Sequence, residues 1–304
     1  LSDGTITKNK ELKIREASKK SYGQLLRNNL HVLKRQKPSD EFGIFGLPSD
    51  GFDQRLRIAL GWSKEDLTKF LIPMATNRRE PLGSMGDDTP LAAFSQIDRR
   101  FYDYFKQWFA QVTNPPIDSI RERSVMSLYK YLGSEDNLLS TTPTFDGAIR
   151  ITSPVLSPNE VLELHGHQDW FMHKKFICHY KISGSLRSKL RRINHNSAQA
   201  VQNGAKIIFL SDEGLKRGTL AIPMPLVVSA VHHFLVEKKL RSKVSILCIA
   251  GDVVEDHHIA VLIALGASAV YPYMAYELIR EHFREDDWVE KMSNYRYALE
   301  KGLL

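Results

Sequence analysis

Cysteine is scarce: Cys178 and Cys248 are the only two in a chain of 304 residues. Two thiols build no disulfide framework and no four-ligand metal site. Each lies in an apolar run, FICHY and ILCIA. Both are therefore expected to be reduced core residues, in keeping with a reducing compartment. The chain does not open on Met or on an apolar leader, and LSDGTITKNK reads as an internal stretch of something longer. Long uncharged apolar stretches are missing with one exception, IAVLIALGASAVYPYMAY at 259–276. Gly266 and Pro272 interrupt it. It predicts a buried helix, a glycine cap and a short buried strand rather than a membrane span.

Catalytic signatures are missing as well. There is no HExxH, no GxSxG and no glycine-rich loop between a strand and a helix. The 11 histidines invite a metal reading. His165 and His167 flank a glycine in HGHQDW, and with His173, His179 and Asp169 they could form a zinc site. Buried, hydrogen-bonded histidines account for them more simply. In the pairs His232-His233 and His257-His258, adjacent helical positions point about 100° apart, so one of each pair at most faces a given pocket. GSMGDD at 83–88 predicts a tight turn. LSDEG at 210–214 follows a strand, where α/β enzymes keep their sites, so Asp212 and Glu213 are the best isolated catalytic candidates.

What is present is a globular composition, 42% hydrophobic and 25% charged. It supports one large or two modest domains. The net charge of +7 is uneven. From Lys8 to Lys37 basic residues meet only two acids, Glu11 and Glu16. Tyr22 is the only Phe, Tyr or Trp in the run, too few for a base-stacking platform, so the run predicts a solvated or partner-docking face rather than nucleic-acid binding.

Along the chain, PSDEFGIFGLPSDGF is a connection. SKEDLTKFLIPMA starts a helix with Ser63 as N-cap and Glu65 and Asp66 in its first turn. In RRFYDYFKQWFAQV, the residues Phe101, Tyr104, Phe105, Trp108 and Phe109 share one helical stripe and predict a packed helix. A second helix is expected over 119–132, ended by Gly133. Ser157-Pro158-Asn159-Glu160 is a capping box. In the last third, KIIFL, VSILCIA and SAVYPY alternate with helical stretches, and Gly204 and Gly266 end helices that feed strands. That rhythm predicts parallel βα units, in a β/α barrel or a doubly wound sheet.

Two motifs carry a resemblance. EPLGSMGDDTPLA and FAQVTNPPID, within longer matching stretches and with the run from LSDEG to YPYMAYE, are similar to the central domain of the glutamate synthase large subunit. The likeness covers about residue 47 to the end, loosely over 143–203. It implies an α/β fold of degenerate β/α-barrel-like topology, mostly parallel, resembling the FMN domain of the same family. It implies a parent enzyme that makes two glutamates from glutamine, 2-oxoglutarate and reductant, whether NADH, NADPH or ferredoxin supplies the electrons. A glutaminase domain and an FMN-binding synthase domain with an iron–sulfur cluster would be its partners in one polypeptide. Residues 1–46 would be a basic linker or the tail of the glutaminase domain, and 47–304 the central domain. No catalytic, cofactor or metal residue is expected in this piece, nor a nucleic-acid or membrane partner. The compartment implied is the cytoplasm, or a plastid in a photosynthetic eukaryote.

Within that resemblance the stretch QVTNPPID takes on a meaning. Pro115 and Pro116 fix two φ angles and bias the residues before them away from the α region. Thr113 and Asn114 are thus held extended, and Asp118 can cap the helix expected after it. Thr113, Asn114, Pro115, Pro116, Ile117 and Asp118, with Ser84, Met85 and Gly86, are candidates to line an ammonia tunnel or a domain interface. A plain rigid corner is the competing reading. An independent β/α-barrel oxidoreductase or phosphate-binding enzyme, with its site at the 210–214 loop, is the alternative for the whole chain.

Overall fold

The computed structural model describes residues 4, 6–19, 21–35, 54–81, 94, 99–106, 118, 120, 125–135, 147–166, 171–284 and 287–304. The basic N-terminal region forms helices α1 (Asn9–Ser18) and α2 (Tyr22–Asn29), then strand β1 (Leu30–Val32). No residue of α1 is buried, which fits a solvated charged face. After α3 (Gln54–Ala59), Ser63 and Asp66 cap the next helix reciprocally. The Asp66 N–H donates to Ser63 Oγ at 3.1 Å and the Ser63 N–H to Asp66 Oδ2 at 2.6 Å. A wide π turn, Asp66–Leu71, precedes α4 (Ile72–Asn77). Pro73 supplies no N–H to the helical ladder there, and the wider turn accommodates that break. Arg78, at φ 55°, ends the helix by donating its N–H to Met74 O.

The aromatic stretch departs from its sequence pattern. Phe101–Tyr104 is a short 3-10 helix and Phe105 is already extended. Phe101 and Tyr104 of the expected buried stripe are 37% and 59% exposed, while Tyr102 between them is fully buried. A distant hydrogen bond decides which ring turns inward: the Tyr102 hydroxyl donates to Asp252 Oδ1 at 2.9 Å. Trp108 and Phe109 lie outside the described residues. The end of the second expected helix is also corrected; of that span, 119 and 121–124 lie outside the described residues and Val125 is helical. Lys130–Gly133 is strand β2, paired antiparallel with β3 (Ala148–Ile151), whose other edge pairs in parallel with β1. The two exposed residues Lys130 and Tyr131 and the buried Leu132 suit an edge strand, and pairing overrides the local helical preference. Gly133 therefore caps no helix; its N–H donates to Ser245 Oγ at 3.0 Å.

Helix α5 (Pro158–Gly166) begins as its sequence predicts. The Ser157 N–H reaches Glu160 Oε2 at 2.8 Å and the Glu160 N–H reaches Ser157 Oγ at 3.4 Å. From there strands and helices alternate: β4 (His173–Ile177), β5 (His179–Lys181), α6 (Leu186–Gln202), β6 (Ile207–Ser211), β7 (Thr219–Ala221), α7 (Met224–Glu237), β8 (Ser245–Ile249), α8 (Asp256–Ala264), β9 (Ala269–Tyr271), α9 (Tyr273–His282) and α10 (Trp288–Leu303). Strands β4, β6, β8 and β9 form one parallel sheet in that order, and β5 and β7 form a small antiparallel pair. Every residue of β6 and β8 is buried, as central parallel strands covered on both faces must be. Beyond β9, Val155 bridges Val270 in parallel, with Val270 N–H to Pro154 O at 2.7 Å and Leu156 N–H to Val270 O at 2.9 Å. The result is an α/β unit of β/α-barrel-like topology. Among the described residues no pairing between the Val155 segment and β4 closes the ring.

The uncharged stretch at 259–276 resolves as its interruptions imply, into the end of α8, Gly266, β9 and the start of α9. Gly266 has φ +116° and lies against His232, whose ring would stand 2.3 Å from any added Cβ. Only glycine satisfies both demands. No helix among the described residues is long and apolar enough to cross a membrane. Both cysteines are free and buried in the core, as their apolar surroundings predict.

A buried ionic network fastens the ends of the described fold together. Arg296 of α10 donates to Glu160 Oε1 at 3.0 Å and to Glu300 Oε1 at 2.9 Å, and Arg35, just past β1, meets Glu300 Oε2 at 3.0 Å. Leu33 beside it is 1% exposed. The segment at 30–35 is thus part of the folded body.

Candidate functional site at the carboxyl end of the parallel sheet

Parallel strands deliver the residues after them to one end of the sheet, where α/β proteins place ligands. Here β6 delivers Ser211-Asp212-Glu213, β8 delivers Gly251-Asp252, and β9 leads to Tyr273. Asp212 and Glu213 do meet the sequence expectation of position, but they are 1% and 3% exposed. The Gly251 N–H donates to both oxygens of Asp212 at 3.0 Å. Ser211 Oγ donates to Glu213 Oε2 at 2.9 Å, and Lys175 Nζ from β4 reaches the same oxygen.

Residues from far upstream close this end. The Trp62 indole N–H donates to Gly251 O at 2.6 Å, and the Tyr102 hydroxyl holds Asp252. Leu60, Trp62 and Tyr102 are all buried here. Gly251 is the point of closest approach, since an added Cβ would lie 2.7 Å from both Leu60 Cδ1 and the Tyr273 hydroxyl. Arg100 braces the closing segment. Its guanidinium forks onto both oxygens of Asp66 at 2.8 Å and onto Gly61 O at 2.7 Å.

The electrostatics match a packed joint. Burial pushes the Asp212 carboxyl well up, Asp252 repels its charge further, and the Gly251 N–H works the other way. Burial raises Asp252 as well, against the Tyr102 hydrogen bond. Burial raises Glu213 too, while Lys175 and Ser211 pull it down. The Cys178 thiol is pushed up to about 12, by burial first and by Asp212 second. Tyr102 and Tyr273 go up for the same primary reason. Burial thus works against the charged forms of these acids, thiols and phenols, while Lys175 supports the charge of Glu213. The arrangement is one of buried carboxyls held by backbone and side-chain donors. It ties distant segments together.

Of the candidates for a tunnel or interface, Ser84, Met85, Gly86, Thr113, Asn114, Pro115, Pro116 and Ile117 lie outside the described residues. Asp118 is described: its Oδ1 accepts the Ile120 N–H at 2.9 Å, a local side-chain-to-backbone bond. The structure brings His165 and His173 together, with ring centroids 4.7 Å apart, and burial lowers the pKa of each. His167 and Asp169 fall outside the described residues. Among the described residues no group of three or more His, Cys, Asp or Glu is placed to hold a metal ion. The adjacent pairs split as helix geometry requires. His258 is buried, stacked on Tyr102 at 4.3 Å with Nδ1 accepting the Val254 N–H, while His257 is exposed. His232 accepts from Arg241 Nε at 3.0 Å, while His233 is exposed.

Asp252, Trp62 and Tyr102 are site residues that the sequence does not announce. One signal exists for Asp252: FLSD and IAGD both set an aspartate just past a buried strand. Nothing local marks Trp62 or Tyr102, whose partners are 189 and 150 positions away.

The profile of the glutamate synthase central domain matches residues 55–304. The chain is 37% identical to a glutamate synthase [NADH] of Schizosaccharomyces pombe, over 83% of this chain and 12% of that protein. It is 36% identical to a chloroplastic ferredoxin-dependent glutamate synthase 2 of Arabidopsis thaliana, over 100% of this chain and 20% of that protein. The chain thus spans a fifth or less of the length of these relatives. Among solved structures, a flavocytochrome b2 with sulfite bound overlaps 49% of this chain and 35% of its own, at 18% identity and a TM-score of 0.34. By the match over 55–304, this chain belongs to the glutamate synthase central domain family.

Proposed function

We propose that this chain is the connecting domain of a glutamate synthase large subunit. A glutaminase domain stands before it and an FMN-binding synthase domain after it, in one polypeptide. Its task is to join the two and to line the path of ammonia between them. The observation that carries this reading is the family match over 55–304, within relatives at least five times longer. The parent reaction converts glutamine, 2-oxoglutarate and reductant into two glutamates, in the cytoplasm or a plastid. Residues 1–46 serve as the lead from the glutaminase side, and the pairing of β1 with β3 anchors that lead within the central domain.

The parent's FMN and iron–sulfur cluster belong to the neighbouring domain on this reading. The residues here do not fit them. The chain has two cysteines, both buried, and Leu60, Trp62 and Tyr102 pack the carboxyl end of the sheet. The same packing disfavours an independent enzyme working through Asp212 and Glu213. The exposed rings of Phe101 and Tyr104, a few residues before the Thr-Asn-Pro-Pro corner, suit contact with another domain.

The test is Asn114→Leu in the full-length enzyme, with a bulky replacement of Thr113 beside it. Glutamine hydrolysis should continue while glutamate synthesis from glutamine falls, raising the ratio of glutamine consumed to 2-oxoglutarate consumed. An unchanged ratio in a folded variant, or loss of both activities together with stability, refutes the tunnel role of the corner.

A further inference from the structure

A cavity of about 460 Å³ lies between β5, the turn at Gly184 and the first turns of α6. Its wall includes Lys181, Lys189 and Arg192, with His179, Ser185 and Ser188. No acidic residue lines it. Among the described residues none of these three cations forms an ion pair. Cations elsewhere in the fold are engaged: Lys175 with Glu213, Arg100 with Asp66 and Arg296 with Glu160. The sequence gives the pocket no local counter-charge either, since no Asp or Glu occurs from Trp170 to Ser211.

From this geometry we infer that the groove is a binding site for a compact oxyanion with two negative charges, a phosphate monoester group or a short dicarboxylate. The inference stands apart from the glutamate synthase reading and needs none of its parts. Three positive side chains from two elements line one concavity, and none of them has an ion-pair partner among the described residues. Bringing like charges together costs free energy unless a counter-ion joins them. The crowding registers on Lys189, which is held below the ordinary lysine range by burial and then by Arg192. The volume falls within the roughly 300–1,000 Å³ of small-ligand pockets, too confined for a folded partner. Gly184 shapes the rim. An added Cβ there would stand 3.0 Å from Lys181 O, in the turn that Gly184 closes by donating its N–H to that same oxygen. Arg192 supplies a planar fork suited to an oxyanion edge, and the lysines supply point charges.

Isothermal titration of the full-length protein with inorganic phosphate, and separately with succinate, tests this. Sodium chloride at matched ionic strength removes general screening effects. Saturable binding with Kd of about 1 mM or tighter is expected for one or both probes. Phosphate alone marks a phosphate-ester site, succinate alone marks a dicarboxylate site, and both together mark the shared chemistry. Lys189→Gln and Arg192→Gln should each weaken binding about tenfold, with unfolding midpoints unchanged because both side chains reach solvent. Lys64→Gln, an exposed cation on another element, should leave it unaltered. The inference is overturned if neither anion titrates, or if the Lys189 and Arg192 variants bind as the parent does.

Discussion

Replacing Arg296 by Met should be among the most damaging single changes in the chain. The side chain is 3% exposed and sits between Glu160 and Glu300, which are 2% and 7% exposed. Burial works against its charge, but Glu160 and Glu300 more than offset that and raise its pKa. Removing the cation leaves Glu160 without its buried arginine and Glu300 with only the half-exposed Arg35. Breaking one partner out of a buried network typically costs about 3–5 kcal/mol. Glu160 also closes the capping box of α5, so disturbance there reaches a helix start, worth about 1 kcal/mol more. Arg35→Ala removes only the outer arm of the network, whose arginine is 47% exposed, and should cost about 0–1 kcal/mol. Urea unfolding followed by circular dichroism supplies the numbers, with the double variant Arg296→Met/Glu160→Gln closing the cycle. The double variant should be less damaged than the sum of its singles, because one orphaned charge goes with the arginine. If Arg296→Met costs less than about 1 kcal/mol, or if the singles add, the network is not holding the C-terminal helix to α5, and the reasoning fails.

Gly251→Ala should destabilise by about 1–3 kcal/mol in the same urea assay, since the new methyl meets Leu60 and the Tyr273 hydroxyl at 2.7 Å; Leu60→Ala should recover part of that loss, and no recovery would mean the strain lies elsewhere. Glu80 is raised from its ordinary 4.5 to about 7, by burial first and then by repulsion from Asp256 and Glu255. A folded-state pKa above the unfolded one gives stability that is complete below pH 4.5 and is lost as pH rises through 7. At ~1.4 kcal/mol per pH unit the ceiling is ~3 kcal/mol, and solvent screening at this partly exposed carboxyl reduces it to ~1 kcal/mol. Glu80→Gln should flatten the pH dependence of the unfolding free energy between about pH 5 and 7 by that amount; an unchanged slope counts against the assignment.

The elements that could be read ahead of the structure are those whose signals are local. Strands β6 and β8 are short continuous apolar runs, and a fully buried parallel strand has no other pattern to offer. The start of α5 rests on four residues, since a capping box satisfies its own donors without outside help. The aromatic stretch shows the converse. Its spacing fits a helix, yet the ring that turns inward is Tyr102, which is outside the stripe, because a carboxylate 150 positions away accepts its hydroxyl. Strand β2 is hidden for a related reason: SLYKYLG has no turn signal, and only β3 decides its conformation. For Asp212 and Glu213 the position is legible and the role is not. Burial depends on Trp62, Leu60 and Tyr102, and no property of LSDEG announces them.

That closure bears on what the sheet end is for. A ligand entering it would have to displace the Trp62 indole from Gly251 and the Tyr102 hydroxyl from Asp252. Each displaced bond leaves a buried acceptor unsatisfied, at about 1–3 kcal/mol apiece. Burial also works against the ionised form that Asp212 would need to act as a base. The same bonds have a positive consequence. Trp62 and Tyr102 bracket the stretch that contains EPLGSMGDDTPLA, and Tyr102 stands just before FAQVTNPPID. Trp62, upstream of the first motif, and Tyr102, between the two motifs, are therefore pinned to the carboxyl end of the parallel sheet. In this central domain the sheet end where α/β proteins place ligands is instead occupied by Trp62 and Tyr102. Loosening either bond should act on the residues around Trp62 and Tyr102 before it acts on the sheet, whose strands β6 and β8 remain buried at every position.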